Sequence, residues 1–234
     1  MRRCNLFLPV MLLLAAGVEA APPAGPVVVE LFTSQGCSSC PPADALLGEL
    51  SHRPDVLALA LHVTYWNDLG WKDPFAQAQF DARQRQYAQQ LALPSIYTPQ
   101  MVVNGAQDAV GSQRLAVDRA LAQARRPAAI ALQEESGLLT LTLPALDHAC
   151  TCLLTLFAVR TSAMTPVGRG ENAGRKLAEF QVVRVMQSLG KWKGDTQALQ
   201  VDVRRMPDDV TLYALLAQER GTGRVVASGS QLLR

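Results

Sequence analysis

The sequence predicts a mixed α/β domain followed by a smaller antiparallel β domain of sandwich type. Three observations carry this. Between Val27 and Val63 an apolar run (VVVELFT), an amphipathic stretch and a second apolar run (VLALALHV) follow one another, the pattern of a βαβ unit. After residue 127 helical periodicity gives way to short runs at Leu138–Leu143, Thr151–Val159, Phe180–Val185, Val210–Ala217 and Arg224–Ala227, as in an antiparallel sandwich. Arg125-Arg126-Pro127 stands between the two regimes. The resulting division is a leader over 1–20, a linker over 21–26 (APPAGP), an α/β domain over 27–126 and a β-rich domain over 127–234.

Each element has its own cause. Val27–Thr33 is almost entirely apolar, as a strand covered on both faces must be. Gly36 permits a sharp turn. Ala43, Leu46, Leu47 and Leu50 recur at the spacing of a buried helix face, and Pro54 closes that region. Val56–Val63 is the second strand, and Thr64–Asp73 (TYWNDLGWKD) is a longer aromatic and polar connection. A helix is expected from about Pro74 to Leu91, with Ala76, Phe80, Tyr87 and Leu91 on one face. A turn through Pro99, a strand and a hairpin at Asn104-Gly105 follow. Ser112 is placed to cap a last helix whose stripe is Val117, Ala120, Leu121 and Ala124.

The chain has 234 residues, with 22 Lys and Arg against 20 Asp and Glu, a net charge of +2. That balance gives no basic face for nucleic acid. Arg2 and Arg3 precede an apolar stretch of 13 residues, Leu6–Val18. It is too short to span a bilayer and has the form of an export signal cleaved after Val18-Glu19-Ala20. The expected location is therefore periplasmic or secreted, without stable membrane insertion once the signal is removed. Cys4 leaves with the signal, and Cys37, Cys40, Cys150 and Cys152 remain in a space that permits disulfides.

Cys37-Ser-Ser-Cys40 lies where an apolar strand runs into a helix. A thiol there is easier to ionise, and its partner three residues on can close a disulfide within a turn, so thiol–disulfide exchange is the simplest chemistry. A static disulfide and a metal pair are the alternatives. Pro41 and Pro42 remove two amide donors from the first turn. Glu30 interrupts the apolar strand; buried beneath the thiols, it would have a raised pKa and could relay a proton to Cys40, or it simply pairs at the strand end. Trp66 and Trp71 either wall a groove beside the cysteines or pack the loop. His148, Cys150 and Cys152 share a face if the chain is extended, as structural cysteines, a second redox pair or soft metal ligands. Extended geometry opposes an unstrained Cys150–Cys152 bridge, though as structural cysteines the two are either packed or locally bridged. Arg169–Arg175 (RGENAGR) is either a polar turn or a loop reaching over Cys37.

Four segments, ELFTSQGCSSCPPAD at Glu30–Asp44, HVTYWNDLGWKDPF at His62–Phe75, YTPQMVVNG at Tyr97–Gly105 and RGENAGR at Arg169–Arg175, resemble the exported thioredoxin-like proteins grouped as a domain of unknown function, DUF1223. The resemblance implies a thioredoxin-like fold for the first domain. It implies that Cys37, the more exposed thiol, attacks and that Cys40 resolves. It places Pro99 as the cis-proline facing the pair, and Thr98 as a source of backbone groups for a bound peptide.

The leading expectation is an exported thiol–disulfide oxidoreductase or redox partner protein, acting on protein thiols and disulfides through Cys37, Cys40, Pro99, Thr98 and Glu30, with no cofactor. The rivals are a binding or assembly module stapled by a static Cys37–Cys40 disulfide, and a copper or zinc carrier.

Overall fold

The structure, a computed structural model, describes residues 23–233; the leader expected over 1–20 lies outside them. The first half runs β1 (Val27–Thr33), α1 (Pro41–Leu50), β2 (Val56–His62), α2 (Ala78–Gln90), β3 (Gln100–Val103), β4 (Gln107–Val110) and α3 (Arg114–Gln123). The second is all strand: β5 (Ala128–Ala129), β6 (Ala131–Glu135), β7 (Leu138–Leu143), β8 (Cys152–Pro166), β9 (Lys176–Trp192), β10 (Gln197–Asp202), β11 (Leu212–Glu219) and β12 (Val225–Leu232). The whole is a β-rich mixed α/β fold.

β1 and β2 pair in parallel around α1, and β3 lies antiparallel on the other side of β1. Both are buried along their full length, which is why they read as unbroken apolar runs. Alternation splits β1 between two cores. Val27, Val29 and Leu31 pack with α1 and α3, whereas Val28 and Phe32 pack with Phe80 and Tyr87 of α2. The β3–β4 hairpin turns at Asn104 (φ 47°) and Gly105 (φ 63°), the two positive angles that a tight hairpin needs.

Nine strands form one sheet in the order β4-β3-β1-β2-β9-β8-β11-β12-β5, so the two halves share it. They join where β2 meets β9 in parallel at Ala60 and Val182, and α1 packs on β9 so closely that a Cβ on Gly48 would stand 2.6 Å from the Phe180 ring. The sheet curls around α2: Phe157 and Val159 of β8, Val183 of β9 and Ala214 and Leu216 of β11 complete the core begun by Val28 and Phe32. The opposite faces of β8 and β11 pack on a second, three-stranded sheet, β10-β7-β6, through Leu139, Leu141, Leu154, Leu156 and Leu215. This two-layered antiparallel half is the part the alternating runs predict. Residues 23–26, expected to be linker, are tied into it: Ala24 bridges Ala128, and Ser228 donates to the Pro26 carbonyl.

Three local expectations are corrected. α3 starts after Gln113, with no side-chain cap; Ser112 does not cap it, and burial of Val117 and Ala120 holds it instead. α2 starts at Ala78 rather than Pro74, because Gln77 is extended (φ −137°, ψ 133°) and interrupts the helical path. His148 and Cys150 precede the strand, which begins at Cys152, so the three do not form one row along an extended chain, and Cys150 and Cys152 close the disulfide that extended geometry opposes, their Cα atoms 5.5 Å apart.

Glu30 faces α2, not α1. Its carboxylate pairs with Arg83 and accepts from the Tyr87 hydroxyl at 2.5 Å, while Arg83 also donates to Gln218 of β11 at 2.7 Å. Burial opposes the Arg83 charge, but Glu30 and Tyr87 overcome it and raise its pKa. This corrects the proton-relay reading of Glu30, since α1, which carries Cys40, lies on the other face of the sheet. Glu30→Gln leaves a buried guanidinium without its counter-charge and is expected to cost about 3–5 kcal/mol in denaturant unfolding, and Glu30→Met with Arg83→Met is expected to recover most of it. Neither change should alter how fast a reductant opens the Cys37–Cys40 disulfide.

Candidate functional site

Cys37 and Cys40 form a disulfide, with Cα atoms 5.4 Å apart, at the start of α1. The motif sits beyond the carboxyl end of β1, where loops of open α/β sheets gather. Neither sulfur residue shows exposed surface. This corrects the expectation that Cys37 stands open; Ser38 and Ser39 between them carry the exposure.

Helix amides do not reach the sulfurs. Pro41 and Pro42 have no N–H, the N–H groups of Ala43 and Asp44 both bond the Cys40 carbonyl, and that of Cys40 bonds the Cys37 carbonyl. Two hydroxyls take their place. Ser39 Oγ lies 3.3 Å and Thr98 Oγ1 3.4 Å from Cys37 Sγ, so both can donate to a thiolate. Thr98 is aimed by the Trp66 indole, which donates to its oxygen at 2.8 Å, and the Thr98–Pro99 peptide is cis with Pro99 buried.

Beneath the motif lies a buried titratable cluster that the sequence reading did not identify. Asp44 is one turn after Cys40 on the same helix face and accepts from Thr33 Oγ1 at 2.8 Å. Burial pushes its carboxyl up to about 7, against the pull of His62 and the Thr33 hydrogen bond. His62 Nδ1 lies 2.7 Å from Asp73. Burial disfavours the imidazolium, but Asp73, helped by Glu179 and Asp44, lifts its pKa to about 9. Burial likewise opposes the Asp73 charge, but His62 and the amides of Gln35 and Phe75 hold its pKa below the usual carboxylate range. His62 Nε2 is buried without a partner.

Gln35 ties this cluster to the motif with every polar group it owns. Its N–H donates to Asp73 at 2.9 Å, its side-chain amide donates to Glu179 at 2.6 Å, its side-chain carbonyl accepts from Trp71 at 2.8 Å, and its backbone carbonyl accepts from Asn172 at 3.0 Å. Trp71 therefore serves the network rather than an open groove wall. Trp66 does flank the cysteines, its Cβ 3.1 Å from where a Gly36 Cβ would be.

Arg169–Arg175, at the tip of the β8–β9 hairpin, straps the motif down. Glu171 accepts from the Ser38 N–H at 2.9 Å, and the fully buried Asn172 donates to the carbonyls of Gln35 and Cys37, at 3.0 and 2.9 Å. Arg175 fixes the Asn172 carbonyl at 2.8 Å. Gly170, at φ 77°, passes so close to Trp71 that a Cβ would meet its side chain at 3.2 Å. Of the residues named from sequence, Cys37, Cys40, Thr98 and Pro99 meet here and Glu30 does not. Gln35, Asp44, His62, Asp73 and Asn172 stood inside the quoted motifs but had no partner-specific spacing; Glu179, outside them, becomes a partner only through folding. Among the described residues no three His, Cys, Asp or Glu side chains are disposed to hold a metal ion.

The cluster fixes a pH dependence. Folding raises the His62 pKa from 6.5 to about 9, so its contribution is full below 6.5 and lost as pH rises through 9. Asp44, raised from 3.8 to about 7, also makes stability fall with rising pH across its own lower window. The thermal midpoint is expected to decline between pH 6.5 and 9, and His62→Gln to remove that part of the slope while lowering the midpoint at pH 6.5, measured by circular dichroism.

Comparison with other proteins agrees with this architecture. A structure from Agrobacterium tumefaciens, 28% identical, matches 91% of this chain and 96% of its own with a TM-score of 0.75. HBP35 of Porphyromonas gingivalis, 15% identical, matches 90% of this chain and 76% of its own with a TM-score of 0.58, a likeness of fold alone. No curated protein sequence matches. The sequence profile of a family described as a protein of unknown function (DUF1223) matches residues 28–218, and the chain belongs to that family.

Proposed function

We propose that this protein is an exported thiol–disulfide oxidoreductase or redox partner built on a thioredoxin-like first half. The observation that carries the reading is the convergence on one disulfide of a nucleophile-side hydroxyl pair (Ser39 and Thr98) and a buried carboxyl with a pKa near neutrality one helical turn beyond Cys40. A static staple needs none of these. The thioredoxin-like reading also draws on the strand–helix–strand order around the motif and on the antiparallel β3 that follows Pro99.

A partner thiolate attacks Cys37 Sγ, the Cys37–Cys40 bond breaks, and Cys40 leaves as a thiolate that takes the proton of Asp44. The partner's second thiol, deprotonated, attacks the partner sulfur of the mixed disulfide and releases Cys37 as a thiolate held by Ser39 and Thr98. The partner dithiol is oxidised and the protein pair reduced; the reverse sequence runs when the protein pair starts reduced. Both cysteines are covered, so access requires a local opening, which we assign to the strap that Glu171 and Asn172 hold on Ser38 and Cys37.

Complete burial favours one rival specifically, the static disulfide of a binding module, and one experiment separates them. In exchange with a reduced, unfolded test protein, the wild type should equilibrate, Cys37→Ser should be inactive and Cys40→Ser should trap a mixed disulfide on Cys37. A disulfide that opens only at denaturant concentrations that unfold the protein would establish the static reading. Asn172→Ala should speed reduction of the native disulfide by dithiothreitol about tenfold, the effect of losing roughly 1.4 kcal/mol of hydrogen bonding, followed by quenched-alkylation mass spectrometry. An unchanged rate would mean that the strap does not gate the motif.

A further inference from the structure

The second cysteine pair lies far from the first. Cys152 opens β8, whereas Thr165 near its other end donates to Glu179, itself bonded to Gln35 beside the motif. The interval is roughly 40 Å along the strand. Exchange requires sulfur–sulfur contact, so Cys37–Cys40 and Cys150–Cys152 do not trade electrons directly in this structure.

We infer that Cys150–Cys152 is a second, separate thiol-exchange site, in which a dithiol attacks Cys150. Three observations carry this. The two residues differ in access: Cys152 shows no exposed surface, and Cys150 is only half-buried, with its sulfur 3.7 Å from the Trp192 carbonyl. An incoming thiolate therefore meets Cys150, and Cys152 is the leaving sulfur. Second, the bond spans a sequence separation of 2. A loop that short restricts the unfolded chain least, so the bond is poorly explained as a staple. Third, the segment is already anchored without it. The N–H of Leu146 bonds the Gly194 carbonyl, that of Cys150 bonds Lys193, and that of Arg220 bonds Thr151, at 2.8, 3.0 and 2.9 Å.

The surroundings suit an incoming molecule. The residues just before Cys150, from Ala145 to His148, help line a cleft of about 840 Å³ whose lining also includes Arg125 and Arg224. His148 is exposed, with Nε2 3.9 Å from Glu219, the residue opposite Cys152 in the β8–β11 ladder.

The step mirrors ordinary exchange. A thiolate of the dithiol bonds Cys150 Sγ, the Cys150–Cys152 bond breaks, and Cys152 leaves as a thiolate that takes the proton of the donor's second thiol. The second thiol of the donor then closes the donor disulfide and frees Cys150. Two electrons pass from the dithiol to the protein. Nothing in this depends on the activity of Cys37–Cys40, so the test removes that pair.

The full-length protein carrying Cys4→Ser, Cys37→Ser and Cys40→Ser is incubated with dithiothreitol, and separately with glutathione buffers, under native conditions. The Cys150–Cys152 pair should be reduced while the circular dichroism melting curve keeps its midpoint. Adding Cys152→Ser should capture oxidised glutathione on Cys150 at least tenfold faster than adding Cys150→Ser captures it on Cys152, read by mass spectrometry. Peptide mapping of the glutathione adduct on the variant retaining both cysteines checks the same point without either substitution. Resistance to dithiothreitol short of unfolding, a cooperative loss of structure on reduction, or capture favouring Cys152 would each overturn the assignment.

Discussion

Four titratable side chains, Asp44, His62, Asp73 and Glu179, are buried together at one end of the shared sheet, and the surrounding structure follows from having to satisfy them there. A charge taken out of water survives only with partners. His62 and Asp73 supply each other with one, the Gln35 amides answer Asp73 and Glu179, and Thr33 answers Asp44. Because Gln35 is spent on both sides, the backbone that leads into Gly36 and Cys37 is fixed from below. Its carbonyl then becomes the anchor for Asn172 from above. The conformation of the cysteine motif is thus set by residues from β2, the aromatic loop, β9 and the hairpin tip, and the two halves of the chain are bound to one another through it.

Much of the fold was legible in the sequence because its cause is local. β1 and β7 occupy the residues their apolar patterns mark, and Asn104-Gly105 makes the hairpin its chemistry allows. The parts that were not legible depend on distant partners. β6 and β10 are half-polar strands of the small sheet, whose alternation is too mixed to read without the neighbour β7 between them. That β9 also continues the first half's sheet rests on a parallel contact at Ala60 and Val182, which leaves no signature in either segment. At the site, Cys37, Cys40, Thr98 and Pro99 could be named because short motifs carry them. Glu30 was misassigned for a geometric reason: alternation in β1 decides which face a carboxylate joins, and Arg83, not Cys40, waits on that face.

Burial of both sulfurs and exchange chemistry are compatible if the cover is weaker than the fold. The strap satisfies that condition. It is a hairpin tip held to the motif by the hydrogen bonds of Glu171 and Asn172, with Glu171 and most of the tip exposed. Lifting it costs a few hydrogen bonds, whereas opening the core that holds α1 would expose Leu46, Leu47 and Leu50. Local openings of this kind draw on the low end of a protein's stability spectrum.

The same hairpin that carries the strap begins, at its other end, beside Cys152, so β8 and β9 connect the two disulfides physically while separating their sulfurs. A rigid connection of this sort does not couple two sites by itself; coupling requires an element with two arrangements that both sites bias. β9 is bulged at Leu189 and at Arg184, opposite Leu154–Thr155 and Ala158–Val159 of β8, but both strands are clamped between two cores, with Phe157 packed on one side and Leu156 on the other. A change in redox state at Cys150–Cys152 would have to travel through that packing to move Asn172. The physical expectation is therefore two disulfides that titrate independently, each governed by its own cover: a removable strap over one, and at the other only the partial burial of Cys150.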